Sequence, residues 1–170
     1  KKKKIDLSAV IAQPNNPTGE TLFCSAPNSS HYLGELNENL LGKAQEAIDN
    51  SSGISLVSRI CNTDRSVGAM LSGYIADKHG NQGMAAEPVV IELHGTAGQS
   101  FGVWNAGGLE MTLVGDANDY VGKGMAGGKL VIRPPLGSSF ESHKATIIGN
   151  TCLYGATGGK LFAAGCAGER

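Results

Sequence analysis

The sequence predicts an all-β chain: a right-handed parallel β-helix, or solenoid, of short strands and Gly-rich corners, preceded by an extended arm and a short helix. Three observations carry this expectation. Residues 91–108 (IELHGTAGQSFGVWNAGG) repeat in 111–128 (MTLVGDANDYVGKGMAGG), so that Gly95, Gly102, Gly107 and Gly108 fall on Gly115, Gly122, Gly127 and Gly128. A fixed period of about 20 residues is the mark of stacked repeats. Within 109–113, Leu109, Met111 and Leu113 alternate with Glu110 and Thr112, the period of a strand with one buried face. Glycine is abundant, 25 of 170 residues, and aromatics make up only 5%, which suits a narrow core of small and aliphatic side chains.

Each element follows from its local pattern. Residues 1–33 are broken by Pro14, Pro17, Gly19 and Pro27 and read as an arm or linker. Residues 35–49 place Leu36, Leu40, Ala44, Ala47 and Ile48 at helical spacing, so a short amphipathic helix is expected there. Strands are expected at 54–60, 89–93, 109–114, 129–132, 146–148 and 160–164, with shorter ones at 100–103 and 120–121 between glycines. Residues 67–73 (VGAMLSG) align with 121–127 (VGKGMAG), 149–159 repeat the theme with a shorter turn, and 165–168 begin another repeat. Segments 74–88 and 133–145 break the period and are read as excursions, a short helix at 74–79 and a loop around Pro134 and Pro135. The expected division is an arm with its helix over 1–50 and the repeat domain over 51–170. The chain begins without Met and stops inside a Gly-rich pattern, so it is expected to be a fragment truncated at its C-terminus.

Corner glycines have a physical reason: a tight corner needs φ > 0, which glycine adopts without a Cβ penalty. The glycines assigned this structural role are Gly68, Gly73, Gly95, Gly102, Gly107, Gly108, Gly115, Gly122, Gly127, Gly128, Gly149, Gly155, Gly158 and Gly159.

Composition excludes several classes. A net charge of −1 argues against a nucleic-acid footprint, and no apolar run approaches a membrane span. Cys24, Cys61, Cys152 and Cys166 form no CxxC pair, which suggests neither zinc nor a redox couple and points to a reducing cytosol.

Ligand-like motifs fail on their own requirements. Residues 122–127 (GKGMAG) match G-x-G-x-x-G, but a dinucleotide fingerprint needs a helix next, and LVIRPP follows Lys129 instead. GATGGK (155–160) has Tyr154 where a phosphate loop requires glycine and Leu161 where it requires Ser or Thr. Asp116, Asn118 and Asp119 resemble a calcium loop, yet Tyr120 stands at a donor position, and turn hydrogen bonding is the reading preferred. His31, His79, His94 and His143 are isolated, and Asp64–Arg65 read as a structural pair or an interdomain contact. Trp104, the sole Trp, suits an interface anchor or plain core packing. The sequons Asn28-Ser29-Ser30 and Asn50-Ser51-Ser52 are expected to be idle. No catalytic, cofactor-binding or metal-binding residue is assigned.

Four strings carry a resemblance: NTDRSVGAMLSG (62–73), GTAGQSFGVWNAGG (95–108), GDANDYVGKGMAGGKLVIRPP (115–135), and IIGNTCLYGATGGKLFAAG with AGER (147–170). Together they closely resemble the C-terminal GXGXG domain of the glutamate synthase large (alpha) subunit. The resemblance covers residues 35–170. It implies a β-helix in a large cytoplasmic enzyme that converts glutamine and 2-oxoglutarate to two glutamates. The parent's FMN, iron–sulfur cluster and reductant (NADPH, NADH or ferredoxin) belong to other regions, so this domain is expected to hold no cofactor and to have no activity of its own. Its implied partners are the amidotransferase and FMN synthase domains of the same subunit and a small reductase subunit, with neither nucleic acid nor membrane. Cys166 departs from the family pattern, where an Arg is expected. The alternative reading is a stand-alone subunit or binding module of another oxidoreductase complex, resembling part of formylmethanofuran dehydrogenase. A nucleotide-binding enzyme built on GKGMAG is the weakest reading.

Overall fold

A computed structural model of the chain describes residues 5–13, 15–19, 21, 23–27, 34–84 and 87–169. Lys1–Lys4, Pro14, His31 and the sequon Asn28-Ser29-Ser30 lie outside the described residues. The chain divides into two units, Lys1–Tyr32 and Leu33–Arg170. The first holds a single helical turn, α1 (Ser8–Ile11), with no buried residue. Asp6 Oδ1 accepts the Ser8 backbone N–H at 2.9 Å. Ile5, Val10 and Ile11 are exposed.

The second unit opens with α2 (Glu35–Asp49), which buries Leu40, Ala44, Ala47 and Ile48 on one stripe. Strand β1 (Ile54–Ile60) follows, then α3 (Ala69–His79). The remaining strands are β2 (Val89–Ala97), β3 (Leu109–Ala117), β4 (Lys129–Arg133), β5 (Thr146–Ile148), β6 (Lys160–Ala163) and β7 (Cys166–Ala167). All the described pairings are parallel. They run in the order β1-β2-β3-β4-β6, with β5 pairing β3 and β7. Val89 pairs with Leu109, Gly95 with Gly115 and Ala97 with Ala117, so the sequence repeat is the strand register.

One face of the sheet carries the core. Val89, Ile91 and Leu93 of β2 and Leu109, Met111 and Leu113 of β3 are fully buried. Leu40, Ala44 and Ile48 of α2 and Leu71 and Ile75 of α3 join the same cluster. Each such Val, Leu, Ile or Met side chain contributes about 1.5–3 kcal/mol through burial. The other face holds half-buried Glu92, Glu110 and Thr112, and Lys129 Nζ reaches Glu110 Oε2 at 2.5 Å across β3 and β4.

The expected all-β, right-handed parallel β-helix is overturned. The fold is mixed α/β, a seven-stranded parallel sheet with three α-helices among the described residues, not a closed solenoid. Two physical reasons account for the difference. Residues 100–103 and 120–121, expected as short strands, form turns or irregular backbone, because alternate residues there take positive φ and cannot extend. The segment 67–73, aligned with a Gly corner, instead leads into α3, which begins five residues before the expected helix at 74. Val67, Leu71 and Ile75 are buried four residues apart, and that helical stripe outweighs the glycine match.

Candidate functional site

The Gly-rich turns stack into a backbone ladder of their own. Ser66, Ser100 and Tyr120 donate N–H to the carbonyls of Gln99, Asp119 and Asn150. Gly102, Gly122 and Leu153 donate to Val67, Phe101 and Val121, and Trp104 and Gly124 to Lys123 and Tyr154. Every one of these donors has positive φ, including the non-glycines Ser66, Ser100, Trp104, Tyr120 and Leu153. The rungs therefore run Gly102–Gly122–Leu153 and Trp104–Gly124–Gly155.

The sequence-assigned glycines fall at distinct places. Gly95 and Gly115 face each other in β2 and β3. Gly95 has φ +134°, and a Cβ there would overlap the Ile60 carbonyl oxygen; at Gly115 it would overlap that of Gly95. Gly107, Gly127 and Gly158 sit where successive repeats cross, and added Cβ atoms would lie 2.5–2.6 Å from backbone atoms of Gln82, Gly107 and Ala126. Gly108, Gly128 and Gly159 follow them with positive φ. Gly149 abuts Asp119, and Gly68 precedes α3 beside Met111. Gly73 lies inside α3, and neither it nor Gly155 has an atom within 4 Å of an added Cβ.

Asp116 and Asp119 bridge neighbouring repeats rather than capping their own turns as the sequence suggests, and Asp64 caps a local turn. Asp116 Oδ1 accepts the Thr96 hydroxyl at 2.7 Å, and Asp119 Oδ1 accepts the Asn150 N–H at 2.7 Å. Asp64 Oδ2 accepts the Cys61 N–H at 2.8 Å. His94 Nε2 meets Glu92 Oε1 at 2.7 Å and His79 Nε2 meets the Ile48 carbonyl at 2.8 Å. Cys166 Sγ donates to the His143 carbonyl. Burial pushes the Cys152 thiol pKa up, the Val121 backbone pulling the other way and the Asp119 charge adding to the rise. No group of three His, Cys, Asp or Glu among the described residues is arranged to hold a metal ion.

Two grooves flank the ladder. One, about 650 Å³, opens where β4 leaves β3 and is lined by His94, Thr96, Val114, Asp116, Pro135 and Phe140. The other, about 600 Å³, lies between α3 and the turns, with Trp104 on its wall. Trp104 is 62% exposed, which removes the core-packing reading. A residue that the repeat pattern conceals is Asn105. It is fully buried, and its Nδ2 donates to the carbonyls of Leu109 (2.9 Å) and Gly127 (3.0 Å). Its signal is a lone amide where the aligned repeat has Met125. Its Oδ1 has no hydrogen-bond partner among the described residues.

The ladder accounts for each glycine of GKGMAG by backbone conformation or close approach, and the GXGXG motif family matches residues 37–170. The chain belongs to the GXGXG motif family. Curated relatives of this GXGXG chain include the NADH glutamate synthase of Saccharomyces cerevisiae, 42% identical over 98% of this chain and 8% of that protein. The NADPH glutamate synthase large chain of Azospirillum brasilense is 41% identical over 98% of this chain and 11% of its own length. The chloroplastic ferredoxin-dependent glutamate synthase of Spinacia oleracea is 40% identical over the whole of this chain and 10% of that protein. This GXGXG chain thus spans about a tenth of the length of these relatives. Among the described residues no helix is long and apolar enough to cross a membrane.

Proposed function

We propose that this chain is a non-catalytic structural domain of a glutamate synthase, holding the amidotransferase and FMN synthase domains in position around it. The observation that carries the reading is structural: positive φ and close backbone approach use up every glycine of GKGMAG, the most ligand-like stretch of the chain. The segment matches synthases named for NADH, NADPH and ferredoxin alike, at 42%, 41% and 40–50% identity over nearly the whole chain. The commitment of Asp116 and Asp119 to hydrogen bonds between repeats, and of Asp64 to a local turn, supports the same view. On this reading FMN, the iron–sulfur cluster and the reductant are held outside this domain, and the first unit serves as the connector. A cytosolic setting belongs to the proposal and agrees with four free cysteines.

The test is a coupling assay on the full-length enzyme carrying Gly95→Ala. Glutamine hydrolysis and 2-oxoglutarate-dependent glutamate formation are measured separately. A scaffold predicts that glutamate formation falls while residual hydrolysis persists, with ammonia released to solvent. Loss of both in equal proportion in a folded enzyme would overturn the reading.

A further inference from the structure

The Trp104 rung is unlike its neighbours. Its stacked partners Gly124 and Gly155 reach φ +63° and +69° as glycines, whereas Trp104 holds +56° with a large side chain. The ladder makes the same hydrogen bond at the Trp104 and Gly124 rungs without needing an indole: Trp104 N–H to Lys123 and Gly124 N–H to Tyr154 are both 2.8 Å. Gly124 is the indole's seat, because a Cβ there would lie 2.6 Å from Trp104 Cδ1. The indole nevertheless remains 62% exposed, and Tyr154, beside the same rungs, is 64% exposed. A strained backbone that holds an aromatic out in solvent points to a use for that aromatic.

The groove supplies the use. Ala69 and Ala76 of α3 form one side, Ala106, Ala126 and Thr157 line the turn side, and Trp104 completes the wall. These small side chains leave room for a protruding apolar group, and Trp and Tyr are the side chains most often found as interface anchors. We infer that Trp104 and this groove form a docking surface for an apolar side chain from another part of the same polypeptide. The occupant is argued from length: this chain matches only 8–11% of its relatives, so most of each relative lies outside the match and is tethered to this domain at high effective concentration. The inference rests on the proposed place of this chain in a glutamate synthase and adds the residues at which another region docks.

The test uses the full-length synthase. Hydroxyl-radical footprinting reads Trp104 oxidation in the native enzyme against the same enzyme unfolded in denaturant. A docked Trp104 oxidises about tenfold more slowly in the native enzyme, as for a desolvated interface anchor; a native rate within about twofold of the unfolded rate overturns docking, as expected for an exposed ring. A photo-crosslinker placed at Asn81, on the groove's wall, should join a peptide of the same polypeptide outside this chain. Trp104→Gly, which installs the residue the ladder uses at the next two rungs, Gly124 and Gly155, should abolish that cross-link while the domain stays folded. A cross-link to a second copy overturns the stated occupant. If Trp104 is fully reactive while Lys129 or Lys160 still cross-links to other regions of the polypeptide, the scaffold reading stands and this inference alone fails.

Discussion

Gly95 and Gly73 should respond to alanine with opposite sign. Gly95 sits in β2 at φ +134°, and a Cβ would run into the Ile60 carbonyl oxygen, which is backbone and cannot swing aside. Holding a non-glycine at such φ costs about 1–3 kcal/mol. Forcing the overlap costs about another 1–3 kcal/mol. Gly95→Ala is therefore expected to lose about 2–6 kcal/mol, a large part of a typical total of about 5–15 kcal/mol. Gly73 lies inside α3 with ordinary φ and open space around an added Cβ, so Gly73→Ala should gain about 0.5–1 kcal/mol from helix propensity and reduced unfolded-state freedom. Urea denaturation of the chain reads both. With a slope of about 2 kcal/mol/M, the midpoint should fall by about 1–3 M for the first and rise by about 0.3–0.5 M for the second. Equal shifts of the same sign would refute the argument that close backbone approach, rather than glycine content, makes the ladder.

Asn105→Ala should cost about 2–3 kcal/mol by urea denaturation, since the Leu109 and Gly127 carbonyls lose a shared buried donor. Asn105→Asp should cost more above pH 5 than at pH 3, because ionising the buried carboxyl places a charge where the amide donated. Cys152 should alkylate with iodoacetamide at pH 8 more slowly than exposed Cys24, Cys61 and Cys166, because its raised pKa leaves less thiolate; peptide mass spectrometry gives the order. Glu110→Gln should lower stability by no more than about 1 kcal/mol, and the difference should shrink in 1 M salt, because its Lys129 partner is partly exposed.

The strand register was legible because β2 and β3 bury identical positions against one another. Leu93 and Leu113, Gly95 and Gly115, and Ala97 and Ala117 are the same residue on adjacent strands, so an internal alignment reads out a pairing directly. The onset of α3 was hidden by chemistry shared with the repeat. VGAMLSG and VGKGMAG differ little, but Leu71 and Ile75 add a helical stripe that the second string lacks. The turns were misread because Ser100, Trp104, Tyr120 and Leu153 are not residues expected at positive φ. Each of them donates its N–H to a carbonyl of the neighbouring repeat, which no local pattern announces. Asn105 was overlooked for a related reason: its partners are carbonyls of its own turn and of the next repeat, which no local pattern brings together. His94, Asp116 and Thr96 could be read as isolated polar residues, but the groove they share comes from β4 departing from β3, a feature of topology rather than of spacing.

The central claim is that this chain holds position while the chemistry takes place in other regions of the parent enzyme. It is tested most directly by the turnover number of full-length glutamate synthase carrying His94→Ala, Thr96→Val and Asp116→Asn together, which strips polar side chains from the groove where β4 leaves β3. The account predicts glutamate formation within about twofold of the parent, since none of these groups supplies a proton or a charge to the reaction. A fall of about 100-fold or more in a folded enzyme that retains its FMN would contradict it, because a loss of that size is the mark of a removed catalytic group.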